Sequence, residues 1–289
     1  MEKTMLFRNA LAVASCVISF LAPSAASQAQ DKQSTLTVAV AGFPVEDVIP
    51  WLVTGVSMGY SGHMYDFVVG SDAQGKISTE NGLAASWSTP DAGRTWQFQI
   101  RSGVKFHDGT PLTASDVAFS IKQFASPQAR SSSAGIFQKG LVDAVAKSPT
   151  EVVMSFKNPV VELPEILSKG GGLSEGAVVS KAYFEKVGLD AFRQKPVGSG
   201  PWIFASRQTG SDIRFKANRA YWRKPAAFEN LVLRIARETT TRVAMLKAGE
   251  ADIVEIPASS IAALGAGARV QTIPNVAAVG MQFYFGGKV

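Results

Sequence analysis

"ENLVLRIARETTTRVAMLKAGEADIVEIP", Glu229 to Pro257, carries the fold class. Leu231, Leu233 and Ile235 alternate onto one face, which predicts a strand. A short helical stretch follows. Thr239 or Thr240 can cap its start, and Gly249 stands where a helix ends in a left-handed C′ residue. "ADIVEIP" then predicts a second strand. A strand, a helix and a strand in succession give parallel pairing, because a parallel neighbour is reached only by a crossover. The fold class is therefore α/β with a partly parallel, mixed sheet.

The flanking segments extend this pattern. "VGSGPWIFASRQTGSDIRFKANRAYWR", Val197 to Arg223, predicts a hairpin: Trp202 and Phe204 go out, "TGSD" turns, and Ile213, Phe215 and Ala217 return. "TLTVAVA" from Thr35 is a strand. So is "RTWQFQIR", with Trp96, Phe98 and Ile100 on one face. "VKF" (104–106) and "VVMSFK" (152–157) predict further strands. Helical stretches are expected over Leu163–Ser168 and from about Ser180 to Val187. In "HDGTPLTASDVAFSIKQF", Asp108-Gly109 supplies a turn. Thr113 and Asp116 form a capping box, and Val117, Ile121 and Phe124 make the buried stripe of a helix. Trp87, Trp96, Phe98 and Phe119 are expected in the core.

The chain has 289 residues and is 46% hydrophobic, enough for one large or two medium domains. It holds two histidines and one cysteine, too few for a histidine or thiolate metal site. His107-Asp108 invites a catalytic reading, but Asp108 stands where a turn needs it and the only other histidine is His63. Gly198-Ser199-Gly200 lacks the spacing of a nucleophile elbow. Gly170-Gly171-Gly172 lacks the spacing of a phosphate loop and reads as a flexible loop. The net charge of +6 is scattered as single and paired Lys and Arg, which argues against a nucleic-acid stripe. No enzyme activity, cofactor or metal is expected.

The N-terminus has the form of an export signal: Lys3 and Arg8, an apolar run over about Ala10–Ala22, Pro23, and a small-residue cleavage site at Ser27-Gln28-Ala29. Residues 1–29 are expected to be a signal peptide, which places the rest in the periplasm. An uncleaved anchor is the rival, but the run is shorter than the ~20 residues a span needs. "VASC" ending at Cys16 resembles a lipidation motif, yet apolar residues continue after it, so lipid anchoring there is the weaker alternative.

Three stretches resemble one family. "GLAASWSTPDAGRTWQFQIRSGVKFHDGTPLTASDVAFSI" (82–121) is similar to the hallmark segment of the family 5 extracellular solute-binding proteins, the peptide, oligopeptide and nickel receptors of ABC importers. "PVGSGPW" (196–202) resembles that family's P-V-G-T-G-P-Y element, with Ser199 and Trp202 as departures. "NRAYWRKPAAFENLVLRIARETTTRVAMLKAGEADIV" (218–254) resembles its N-x-x-Y-W stretch and the helix ending in G-E-x-D. The likeness runs from about Leu36 to the end.

The resemblance implies a periplasmic binding protein type II-like fold: a discontinuous first lobe (30–65 and 195–289), an inserted smaller subdomain (66–194), and a second lobe that is missing here. "AAVGMQFYFGGKV" resembles the strand that leads into that lobe, so a truncated or fragmentary gene is expected. It also implies a monomer that encloses a peptide or similar small solute by hinge closure and delivers it to membrane permease subunits. The alternative is a remnant that binds nothing. By position in the family, Phe43, Met58, Tyr60 and His63 are candidate ligand contacts, each equally able to be core. Pro257, Ala258 and Ser259 are candidates after G-E-x-D, and Gly171 and Gly172 from the smaller subdomain. The acidic group that holds a peptide's amino terminus in such receptors belongs to the far lobe. Which solute is bound is left open.

Overall fold

A computed structural model of the chain describes residues 34–43, 45–72, 75–171, 174–265 and 268–270. Residues 1–29, expected to be a signal peptide and including Cys16, as well as Gly172 and the terminal "AAVGMQFYFGGKV", lie outside the described residues.

In chain order the strands are β1 (Thr35–Val40), β2 (Gly70–Ser71), β3 (Ile77–Ser78), β4 (Ala84–Ser88), β5 (Thr95–Ile100), β6 (Leu141–Ser148), β7 (Glu151–Phe156), β8 (Trp202–Gln208), β9 (Asp212–Ala217), β10 (Asn230–Ile235) and β11 (Ile253–Val254). The α-helices are α1 (Gly55–Ser61), α2 (Ala114–Phe124), α3 (Ala134–Gly140), α4 (Leu163–Ile166), α5 (Lys181–Gln194) and α6 (Thr239–Lys247).

A five-stranded sheet has the order β11-β1-β10-β9-β8. Strand β1 pairs in parallel with β10, Val40 opposite Ile235, and with β11, Ala39 opposite Val254. The hairpin of β8 and β9 completes it antiparallel. The expected crossover is therefore present: β10, α6 and β11 form the strand–helix–strand unit, and β11 lands on the far side of β1. A separate antiparallel sheet, β4-β5-β7-β6, is built wholly from residues between 84 and 156.

One apolar core spans both sheets, from Val48, Ile49 and Trp51 through Phe98, Phe124 and Phe137 to Phe215, Leu231 and Leu233. Trp96 and Phe98 belong to it, and Trp87 and Phe119 pack against it from partly buried positions. A smaller cluster, Ala39, Ala236, Met245 and Ala251, lies under α6. The Asp116 carboxylate accepts the Thr113 N–H (2.9 Å), as a capping box requires, and also the Lys181 N–H (2.9 Å), which ties the starts of α2 and α5 together.

Several local expectations are corrected. "VKF" makes only a single bridge, Lys105 to Pro111, rather than a strand. "VVMSFK" is one arm of a hairpin whose other arm, β6, has weak alternation. The glycine-rich stretch after Trp51 forms α1. Helix α4 stops at Ile166. Helix α5 runs to Gln194 across a break at Gly188, whose φ of 76° only glycine takes easily. Helix α6 has no threonine cap. It starts at Thr239 after Glu238, and the Thr239 hydroxyl instead accepts from Arg242. Gly249 does end it, with φ 64°.

Candidate functional site

Strands β1, β10 and β11 are parallel, so their carboxyl ends share one edge of the sheet. In open α/β sheets that edge is where ligands bind. Arg242, on α6, organises it. Its side chain is buried, and its donors go to the carbonyls of Glu255, Ala236 and Arg237 and to the Thr239 hydroxyl. A buried guanidinium surrounded by carbonyls ties the ends of β10 and β11 to the helix between them.

Glu255 follows β11 directly. Its N–H donates to the Ala39 carbonyl (3.0 Å), and its Oε2 accepts the Ala41 N–H (3.2 Å). Two residues past Ala41, the Phe43 ring meets the Tyr60 ring edge-on, centroids 4.9 Å apart. Burial, and next the Glu255 charge, push the Tyr60 phenol upward in pKa. Pro257, Ala258 and Ser259 are exposed and open the 3₁₀ turn Ala258–Leu264, with Pro257 at its N-cap.

The remaining predicted contacts lie elsewhere. Met58 is 3% exposed and belongs to the core. His63 is half-buried, its ring 6.3 Å from that of Phe215. Gly171 ends the 3₁₀ turn Lys169–Gly171, which packs beside β2. The structure thus brings Phe43 and Tyr60 together and places the Pro257–Ser259 turn just beyond Glu255. Glu255 and Arg242 were missed. A charged residue straight after the apolar pair of a parallel strand, and an arginine three residues from both Thr239 and Met245 on one helix face, were the available signals.

Two polar centres join the parts of the fold. At the first, the buried Asp66 carboxylate accepts the Tyr221 hydroxyl (2.8 Å) and the Trp222 indole N–H (2.9 Å). Burial raises its pKa, opposed by those bonds. The Ser199 hydroxyl lies near enough to polarise the carboxylate but makes no well-formed hydrogen bond. Two guanidinium groups approach the Trp222 ring, Arg101 at 5.6 Å and Arg223 at 5.8 Å from its centre. Both arginines also bond to carbonyls of the 79–82 loop. The open depression of about 580 Å³ beside them, lined by Ala85, Arg101, Ser102, Gly103, Val104 and Trp222, contains none of the predicted contacts. Its one lining arginine, Arg101, serves that loop.

At the second centre, His107 Nε2 bonds the Gly200 carbonyl (3.0 Å), and its Nδ1 faces the Gly198 N–H (3.4 Å). The His107 N–H donates to the Gly198 carbonyl (2.8 Å), and Asn218 also donates to Gly200 (3.0 Å). Nδ1 acts as an acceptor, so the ring is neutral, with its proton on Nε2. Histidine and G-S-G therefore form one structural joint. Among the described residues no group of three or more His, Cys, Asp or Glu is placed to hold a metal.

Burial lowers the pKa of both histidines, His63 to about 3, with the Lys169 charge adding to the effect there. Below the ordinary value of 6.5 the unfolded chain takes up protons that the folded chain refuses. Stability is thus complete above that value and falls with pH below it. Asp66 acts in the opposite sense, but only between 3.8 and its raised value. Urea midpoints should drop between about pH 7 and 5.5, and His107→Gln should flatten that slope.

The family model described as bacterial extracellular solute-binding proteins, family 5 middle, matches residues 78–286. The chain belongs to this family. It is 27% identical to di/tripeptide-binding protein 2 of Pseudomonas aeruginosa, over 86% of this chain and 49% of that one. It is also 27% identical to heme-binding protein A of Haemophilus influenzae, over 92% and 51%. Among solved structures, the periplasmic binding protein DppA of Helicobacter pylori in complex with the peptide STSA matches with a TM-score of 0.68 at 26% identity, covering 80% of this chain and 48% of that one. AgaA of Agrobacterium tumefaciens, in complex with agropinic acid, matches with a TM-score of 0.69 at 26% identity, covering 79% and 45%. The fold is that of the type II periplasmic binding proteins, and the family 5 chain spans about half the length of the curated relatives it matches. Among the described residues no helix is long and apolar enough to cross a membrane.

Proposed function

We propose that this family 5 chain carries the first-lobe half of an exported receptor that captures a peptide or similar small solute by closing on it and passes it to the permease of an ABC importer. The observation that carries this reading is the shared carboxyl edge of β1, β10 and β11, where Phe43, Tyr60, Glu255 and the Pro257–Ser259 turn offer a wall of aromatic and polar groups. Such walls suit small ligands; relatives of the chain are named for di- and tripeptides and for heme, and a structural neighbour is in complex with agropinic acid. In this reading the first lobe is 30–65 with 195–289, and 66–194 is the inserted subdomain. The separate four-stranded sheet within residues 84–156 supports that division. The protein works in the periplasm as a monomer, after loss of residues 1–29. Phe43 and Tyr60 remain the ligand contacts of choice, while Met58 is assigned to the core.

The test is a thermal-shift screen of the leaderless chain against dipeptides, oligopeptides, nickel chelates and opines. At a ligand concentration a hundredfold above Kd, binding adds about 2.7 kcal/mol, or roughly 5–10 °C for a chain of this size. A shift for one class names the solute. No shift with any class, checked by calorimetry, overturns the receptor reading.

A further inference from the structure

Resting on that reading, we infer that Glu255, Phe43 and Tyr60 form a subsite for a protonated amine of the captured solute. Three observations converge. Glu255 is exposed at the carboxyl edge, and one oxygen is held by the Ala41 N–H at 3.2 Å. The other oxygen has no hydrogen-bond or ion-pair partner among the described residues, so the carboxylate is oriented yet half unused. Arg242 spends its donors on carbonyls and one hydroxyl and bonds Glu255 through the backbone carbonyl, not the carboxylate. The charge of Glu255 is thus left for an incoming group.

Beside it stand two aromatic rings, both partly exposed, set edge-to-face 4.9 Å apart. Their contact leaves part of the Phe43 and Tyr60 surface open, and aromatic faces attract cations. The backbone brings the carboxylate and the rings to one place: Glu255 accepts the Ala41 N–H two residues before Phe43, whose ring meets that of Tyr60. An ammonium group has three donors and no acceptor. It can donate one hydrogen bond to the free carboxylate oxygen while its carbon chain covers the rings. A carboxylate or phosphate would meet repulsion here, and a neutral amide could donate one hydrogen bond to the carboxylate but would lack the charge–charge attraction of an ammonium.

The probe is benzylamine, protonated at pH 7 and small enough to need no opposing lobe. It is titrated into the ¹⁵N-labelled leaderless chain, with N-benzylacetamide as its neutral counterpart. Benzylamine should shift the amide resonances of Ala41, Phe43, Tyr60 and Glu255, and the acetamide should bind at least tenfold more weakly. Glu255→Gln should remove that difference, while Phe43→Leu should weaken benzylamine and keep the preference for charge. Circular dichroism verifies that each variant is folded. If Glu255→Gln alone is misfolded, the acetamide comparison on the natural chain decides. Equal binding of the two probes, shifts confined to other residues, or no binding of benzylamine each overturns the amine subsite. The solute screen reports on the receptor reading separately, since a peptide or opine that stabilises the chain without an amine preference leaves that reading intact.

Discussion

Gly198→Ala should cost about 3 kcal/mol or more, the upper end for overpacked sites. A methyl group at Gly198 would overlap the Met64 carbonyl oxygen and lie 2.9 Å from its carbon. Both are backbone atoms and cannot swing aside. The site is also locked on three sides: the His107 N–H bonds the Gly198 carbonyl, the Gly200 N–H bonds the same Met64 oxygen at 3.0 Å, and a methyl at Gly200 would itself meet Met64 at 2.7 Å. Relief would break the joint that carries His107. Gly135→Ala is the control. It sits in α3, where an added methyl would meet nothing within 4 Å, and should stabilise by up to about 1 kcal/mol through helix propensity. Urea denaturation of the three proteins measures both. A loss below about 1 kcal/mol at Gly198 would mean that the backbone approach is not the tight one described.

Asp66→Ala should be the next most damaging change, at about 3 kcal/mol. It strands two donors, the Tyr221 hydroxyl and the Trp222 indole N–H, which now give charge-assisted bonds to one buried carboxylate. Such bonds contribute about 1.5–3 kcal/mol each, and an orphaned buried donor carries its own desolvation cost. Asp66→Asn keeps one acceptor oxygen and the volume, so it should fall between. Denaturation gives the energies, and Trp222 fluorescence gives a local reading. An alanine variant as stable as the natural chain would show that Tyr221 and Trp222 find water or another acceptor without loss.

Much of the fold was legible because its signals are local. The apolar run that makes β10, the capping pair Thr113 and Asp116, and the C′ glycine at 249 each act within a few residues and are found in place, although Val232 is buried along with Leu231 and Leu233, so β10 is covered on both faces. What was not legible depends on partners far along the chain. Strand β6 alternates weakly because it lies at the edge of its sheet and buries only Ala144 fully. The absent threonine cap on α6 follows from Arg242, which takes the Thr239 hydroxyl for itself. A structural role for His107 was expected from the turn chemistry of Asp108, but the G-S-G segment it bonds, about ninety residues later, could come only from the fold. The same holds for the candidate site. Phe43 and Tyr60 were identified from family position, whereas Glu255 became visible only once three strand ends were seen to coincide.

Among the described residues the five-stranded sheet ends, on the side of β1, in a strand of two residues. Ile253 on it is half exposed, and an open apolar edge is an invitation for another polypeptide to dock and for aggregates to seed. Here the hazard is contained by its flanks. Asp252 and Glu255 bracket the pair with like charges, and Pro257 denies an amide to any ladder that tried to lengthen. The acidic side chain that invites a small cation into the cleft thus also serves as a gatekeeper against fibrous self-assembly.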